Sequence, residues 1–175
     1  MFIIKGILLF GVFCTSTAIG VIISQKYNKR VAMLKNIKEA LNIFEIKINF
    51  SFETIPDIFQ EIYQKIGGQA GKIFKDTAEY INNNEMLAGD AWELSVNSNT
   101  GVLNEEDLQV IKTLGKLLGK TDIEGQVNQI KLVKEFIDTQ LDQATVDRNK
   151  NEKMYKKLGA IIGLMLVIVL AWIYI

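Results

Sequence analysis

The chain has 175 residues, 20 basic and 20 acidic side chains, no histidine and one cysteine, and 49% of its residues are hydrophobic. Without histidine there is no imidazole general base, no Ser-His or Cys-His nucleophile and no histidine metal site, and one cysteine closes no disulfide within the chain. Formal neutrality hides segregation: from Glu39 to Asp147 stand 19 acidic and 9 basic residues, a net of −10, between two basic ends.

At the N-terminus, residues 1–23 are predicted to be a transmembrane helix. Ile7 to Ile23 carry no formal charge, and Lys26, Lys29, Arg30, Lys35 and Lys38 follow. A cleaved signal peptide is the alternative, since Lys5, an apolar stretch and Ser16-Thr17-Ala18 imitate its three regions. Export would carry the basic cluster across and give the C-terminal anchor the wrong flank, so a retained helix is preferred. Beyond Tyr27 the apolar positions Val31, Leu34, Ile37, Leu41, Phe44 and Ile48 recur every three or four residues, so the helix is expected to continue out of the membrane.

Thr54 with Asp57 resembles a capping box, Pro56 suits a first turn, and Ile58, Ile62 and Ile66 precede the stop at Gly67. Two modest helices are expected over 70–83 and 86–97, with Phe74, Ala78, Ile81, Leu87, Trp92 and Leu94 buried. Asn104 caps the next, whose first turn holds Glu105, Glu106 and Asp107 and whose inner stripe is Leu108, Ile111, Leu114 and Leu118, closed by Gly119. Asp122 starts a last helix through Ile123, Val127, Ile130, Ile137, Leu141 and Ala144, with nothing to break it before the C-terminal anchor at 158–175. Arg148, Lys150, Lys153, Lys156 and Lys157 stand before that anchor.

The fold class is therefore all-α: an antiparallel bundle of about six helices over residues 24–157, flanked by N- and C-terminal transmembrane helices. Each apolar run spans about 25 Å at ~1.5 Å per residue, short for a ~30 Å hydrocarbon core, so flanking side chains must snorkel. Five basic residues on each inner flank, against Lys5 outside, place the domain in the cytoplasm and both termini across the membrane. An acidic body argues against nucleic acid, which requires a basic face. The expected partners are the membrane, through anionic head groups, and a protein, with no cofactor and no small-molecule substrate.

Gly115-Lys116-Leu117-Leu118-Gly119-Lys120-Thr121 imitates a phosphate-binding loop. It is one residue short and follows a helix, and Leu114, Leu117 and Leu118 read as core, so it is taken as a glycine-terminated helix followed by an Asp-capped one. The carboxylates at Glu105, Glu106, Asp107 and Glu124 are expected to be exposed around this joint. They either complement helix dipoles or, with Gly119, Thr121, Asp122 and Gln126, form a partner-docking face. Gly159 and Gly163 form a Gly-x-x-x-Gly that lets membrane helices approach closely, with Gly11, Thr15, Ser16 and Gly20 as small residues in the first anchor.

The stretch Leu114 to Gln126 resembles the signature of the stage III sporulation protein AB family of endospore-forming bacteria. So do the N-terminal anchor, the Leu34 to Glu45 segment, the Thr54-Ile55-Pro56-Asp57-Ile58-Phe59 turn, Ala91-Trp92 and the run Asn151 to Gly159. Ile55 and Thr121 stand where the family pattern often has leucine and serine. The resemblance implies a non-enzymatic part of the channel apparatus between mother cell and forespore, resident in the mother-cell membrane facing the forespore. It also implies a likeness to the cytoplasmic domain of type II secretion and type IV pilus platform proteins, and an ATPase of the same apparatus as partner, with its other membrane components. A membrane-anchored helical signalling or adaptor module is the alternative.

Overall fold

The computed structural model describes residues 2–84 and 86–173. The outermost parts of the two expected anchors, Met1 and residues 174–175, and the side chain of Lys5 lie outside the described residues. Among these, six α-helices and one 3₁₀ turn occur and no strand: α1 (Phe2–Phe50), α2 (Ile55–Ile66), α3 (Gly68–Asn84), α4 (Ala88–Ser98), α5 (Glu105–Lys112), the 3₁₀ turn Thr113–Lys116, and α6 (Ile123–Ile173). The all-α bundle between two membrane-length helices is as expected, and both anchors continue unbroken into the bundle. Helices α1 and α6 run 49 and 51 residues, and each carries a stretch long and apolar enough to cross a membrane.

The chain forms two compact units, a body of Arg30–Gln143 and a helix pair of Met1–Lys29 with Ala144–Ile175. The body packs α2 to α5 against the inner lengths of α1 and α6. The α1 stripe is buried as its period requires: Leu34, Ile37, Leu41 and Phe44 lie inside. Glu45 pairs with Lys134 at 2.7 Å and Lys38 with Asp138, which sets α1 and α6 antiparallel. At the centre, Phe44, Phe59, Phe74 and Trp92 make edge-to-face and tilted contacts with centroids 4.9–5.8 Å apart, a geometry aromatic quadrupoles favour. The indole Nε1 of Trp92 donates to the Ile111 carbonyl at 2.8 Å, so its one polar atom is satisfied inside the core.

The short helices depart from expectation in three places. Leu87 and Leu94 are 66% and 41% exposed. Helix α4 instead buries Ala91, Trp92, Ser95 and Val96; Leu94, two residues from Trp92, is turned some 200° away at ~3.6 residues per turn, and Leu87 is the helix cap. Leu117 and Ile123 are likewise exposed, one beyond the 3₁₀ turn and the other at the first position of α6. The helix expected from Asn104 to Leu118 is α only to Lys112, and the tighter 3₁₀ turn brings Gly115 against α4.

In the helix pair the large side chains point outward and the small ones inward. Ile7, Leu8, Phe10, Ile161, Leu164 and Met165 are all more than half exposed, while Gly20 and Gly159 meet backbone to backbone. A Cβ on Gly159 would lie 2.9 Å from the Gly20 Cα, and one on Gly163 would lie 3.1 Å from the Ser16 Cβ. The Ser16 hydroxyl donates to the Gly159 carbonyl at 2.9 Å. Nearer the body ends of the pair, Tyr27 and Tyr155 stack with centroids 5.9 Å apart.

Candidate functional site

Helix α5 begins with the Asn104 cap the sequence foretells, here closed into a capping box by Asp107. The Asp107 amide donates to Asn104 Oδ1 at 2.8 Å, and the Asn104 amide donates to Asp107 Oδ2 at 3.0 Å. Asp107 itself corrects an expectation. It is fully buried, and its carboxylate accepts Arg30 Nε at 2.7 Å and Arg30 Nη2 at 3.0 Å, while the guanidinium also reaches Gln140 Oε1 at 3.5 Å. One carboxylate thus closes a cap and ties α1 to α5. It is not available as an exposed docking group, because a buried charge is tolerated only when its lone pairs are occupied. Glu105 and Glu106 stay exposed.

The joint from Gly119 to Gln126 is built from backbone and small side chains. Gly119 has φ +71°, the left-handed conformation that ends helices with least strain on glycine. Asp122 Oδ1 accepts the Gly125 amide at 2.9 Å, and the Asp122 carbonyl accepts the Gln126 amide at 3.1 Å. The Gln126 side chain donates back to the Thr121 carbonyl at 3.2 Å, bracing the turn. Gly125 was not singled out by the sequence, yet a Cβ there would lie 2.9 Å from both Asp122 Oδ1 and Thr121 Oγ1. Its absent side chain is what admits the cap. Asp122 and Glu124 are exposed, Thr121 and Gln126 half-buried.

The glycines of the phosphate-loop imitation also have structural work. A Cβ on Gly89 would strike the Gly115 carbonyl oxygen at 2.4 Å, and one on Gly115 would touch Trp92 Cδ1 at 3.0 Å. Leu114 and Leu118 are core. The loop therefore packs the start of α4 against the 3₁₀ turn, and no strand precedes it.

The eight expected site residues fall into two groups. Gly119, Thr121, Asp122, Glu124 and Gln126 share the joint, where a Cβ on Gly119 would lie 3.3 Å from the Ala88 Cβ and 4.0 Å from Ile55 Cδ1. Glu105, Glu106 and Asp107 lie beyond α5 and the 3₁₀ turn, roughly 20 Å along those elements at ~1.5 and ~2.0 Å per residue. Asp107 is there anchored to the first residues of the body at Arg30. Asp107, being buried, is not part of an exposed acidic face, whereas Glu105, Glu106, Asp122 and Glu124 are exposed.

Beside the joint lies a cavity of about 400 Å³ whose polar rim includes Lys112, Lys116, Lys120, Asp90 and Glu93. Among the described residues none of these five makes an ion pair, whereas Lys47, Lys65, Lys75 and Lys134 all do. Sequence reasoning met Lys116 and Lys120 only within the phosphate-loop imitation and passed over Lys112. Their spacing of four was the available signal, masked by the α-to-3₁₀ change. Among the described residues no three histidine, cysteine, aspartate or glutamate side chains cluster so as to hold a metal ion.

A helical bundle whose first and last helices carry segments long and apolar enough to cross a membrane defines an all-α protein with two candidate membrane spans. The chain belongs to the stage III sporulation protein AB family, whose model matches residues 5–171. It is 27% identical over 146 residues to stage III sporulation protein AB of Bacillus subtilis (strain 168), covering 82% of this chain and 85% of that relative. A solved structure of a stage III sporulation protein AB superposes with a TM-score of 0.65 at 20% identity, over 70% of this chain and 98% of the other, and shows the same fold.

Proposed function

We propose that the chain is a non-enzymatic platform component of a mother cell–forespore channel apparatus, with its body in the cytoplasm and the joint as the docking face for a cytoplasmic ATPase. The observation that carries the reading is the joint itself. It presents exposed Asp122 and Glu124 beside Lys116 and Lys120, all without ion-pair partners among the described residues, on a frame made rigid by the Gly89–Gly115 contact. Charged groups left unpaired around a rigid edge suit steered association more than stability, since exposed pairs contribute little to folding. The ten basic residues on the inner flanks support the cytoplasmic orientation.

The test is binding of the apparatus ATPase to the full chain in lipid nanodiscs. Glu124→Lys, or Lys116→Glu with Lys120→Glu, weakens association and flattens its salt dependence, with unchanged thermal unfolding; Glu105→Lys with Glu106→Lys, at the other group, leaves it alone. Equal loss from both groups, or from neither, sinks the joint as docking face. Orientation is checked with Thr100→Cys in a Cys14→Ser background: modification by an impermeant thiol reagent in intact cells would reverse it. The unbroken α1 and α6 favour a second reading, a signalling or adaptor module that transmits helix rotation.

A further inference from the structure

The helix pair of residues 1–29 and 144–175 encloses an apolar groove of about 380 Å³, open on one side, that runs from Val12 to Ile23 on α1 and from Leu166 to Tyr155 on α6. Its length, about 17 Å at ~1.5 Å per residue, matches one leaflet of a ~30 Å hydrocarbon core. Among the described side chains, the cations that flank the groove stand at one end of it. Along α1 the wall Val12, Ile19, Ile23 continues at helical spacing to Lys26; along α6, steps of four from Leu166 through Ile162, Leu158 and Met154 reach Lys150. Lys26, Lys29, Lys150, Lys153 and Lys157 form no ion pair among the described residues, while Lys156 is held by Glu152 at 2.7 Å. The stacked Tyr27 and Tyr155 stand where groove gives way to cations, the amphipathic level that aromatic rings favour.

An apolar slot one leaflet long, capped at one end by unneutralised ammonium groups, is complementary to an amphiphile with an anionic head. We propose that this groove is a binding site for an anionic phospholipid, with an acyl chain between the helices and the phosphate among the lysines. Packing through Gly20, Gly159 and Gly163 creates the slot: close backbone approach in the middle leaves the larger Ile19, Ile23, Leu158 and Ile162 to form its walls. The inference goes beyond ATPase docking and rests only on both helices spanning a bilayer.

The experiment uses the full chain purified in neutral detergent, offered equal amounts of phosphatidylglycerol and phosphatidylcholine and examined by native mass spectrometry. The expected result is one retained phosphatidylglycerol per chain, favoured over phosphatidylcholine by roughly tenfold or more. Thr15→Phe with Ile19→Trp, which fills the slot from positions exposed on the helix surface, abolishes retention of either lipid. Lys26→Gln with Lys150→Gln keeps a lipid but removes the preference. Retention of phosphatidylglycerol by the slot-filled variant at the wild-type level would overturn the site in favour of diffuse charge attraction. A dimer without lipid would overturn it in favour of a second copy in the groove. Extraction of the wild type from membranes by alkaline carbonate would mark failure of the bilayer reading instead.

Discussion

The body and the helix pair are held together by opposite kinds of side chain. In the body, Phe44, Phe59, Phe74 and Trp92 fill the centre, and the buried ion pair of Arg30 with Asp107 is locked by hydrogen bonds of 2.7 and 3.0 Å. In the helix pair the contacts are Gly20, Gly159, Gly163 and Ser16, and the bulky residues face away. The same two helices, α1 and α6, contribute to both. What differs is the surrounding medium each stretch is suited to. In water, burying apolar area drives packing at about 25 cal/mol per Å². Between lipid tails that gain vanishes, and close backbone approach through small residues takes its place.

The largest effect that should separate the two is expected from Phe59→Ala. Phe59 is fully buried and touches three aromatic neighbours, so truncation should cost about 3–5 kcal/mol of body stability. Denaturant unfolding followed by Trp92 fluorescence measures it, with membrane insertion unaffected. A cost below 1 kcal/mol would mean the aromatic cluster is not the centre of the body.

Next comes Asp107→Ala, at about 3 kcal/mol, because it leaves the Arg30 guanidinium short of its buried partner and removes half of a capping box. Arg30→Met combined with Asp107→Leu should recover most of that loss, since a buried pair replaced by apolar groups is often close to neutral. Failure of the double variant to recover would assign the cost to the cap instead.

These two residues also show where sequence reading stops. Phe44 and Phe74 were legible as core from local pattern, as were the caps at Thr54, Asn104 and Asp122, whereas Phe59, one position from the Ile58 stripe, was not singled out though it is fully buried. Asp107 was legible as a first-turn carboxylate but not as a buried one, because its partner is 77 positions away at Arg30. Local periodicity carries no information about such a pair. Helix α4 was legible only in part for a related reason: Trp92 is buried as its size suggests, but beside it the buried face is the small Ala91, Ser95 and Val96 next to the close Gly89–Gly115 contact, while the hydrophobic Leu87 and Leu94 face outward. At the joint, the cap and the left-handed Gly119 were legible, whereas the need for glycine at 125 appears only when the Asp122 and Thr121 side chains are seen around it.

The helix pair is probed by Gly159→Leu. A Cβ at this position already lies 2.9 Å from Gly20 Cα and 3.0 Å from the Ser16 carbonyl, so the helices must part, with a cost on the order of 1–2 kcal/mol in helix association. Distance measurements between spin labels on the two helices should widen. Denaturant unfolding of the body should move by less than about 0.5 kcal/mol, as for changes remote from a core. A large loss of body stability would show that the two regions are one cooperative unit. Smaller still is Asp122→Ala, expected to cost about 1 kcal/mol through the lost bond to the Gly125 amide. If stability holds while partner binding fails, Asp122 is a contact residue in addition to a cap.

The smallest effect is a pH dependence confined to the body surface. Glu61 is held below the usual carboxylate range by hydrogen bonds from Lys47 and then Lys65, and Lys47 is held above its ordinary value by Glu61 and then Glu53. The signs of the two are opposite. A carboxylate with a depressed folded-state pKa contributes stability that is present above its unfolded value, near pH 4, and is lost as pH falls through the folded value. The raised ammonium contributes stability present below its unfolded value, near pH 10, and lost as pH rises through the folded one. The cluster should therefore steady the link between the end of α1 and α2 across neutral pH and release it at both extremes. All of these groups sit at the surface, so salt should weaken the effect within a Debye length of ~10 Å at 0.1 M. The check is stability against pH for wild type and Glu61→Gln at low and high salt. The difference between the two should be flat from about pH 5 to 9, shrink toward pH 3, and narrow in salt. If it persists undiminished below pH 3, Glu61 matters for its packing and not for its charge.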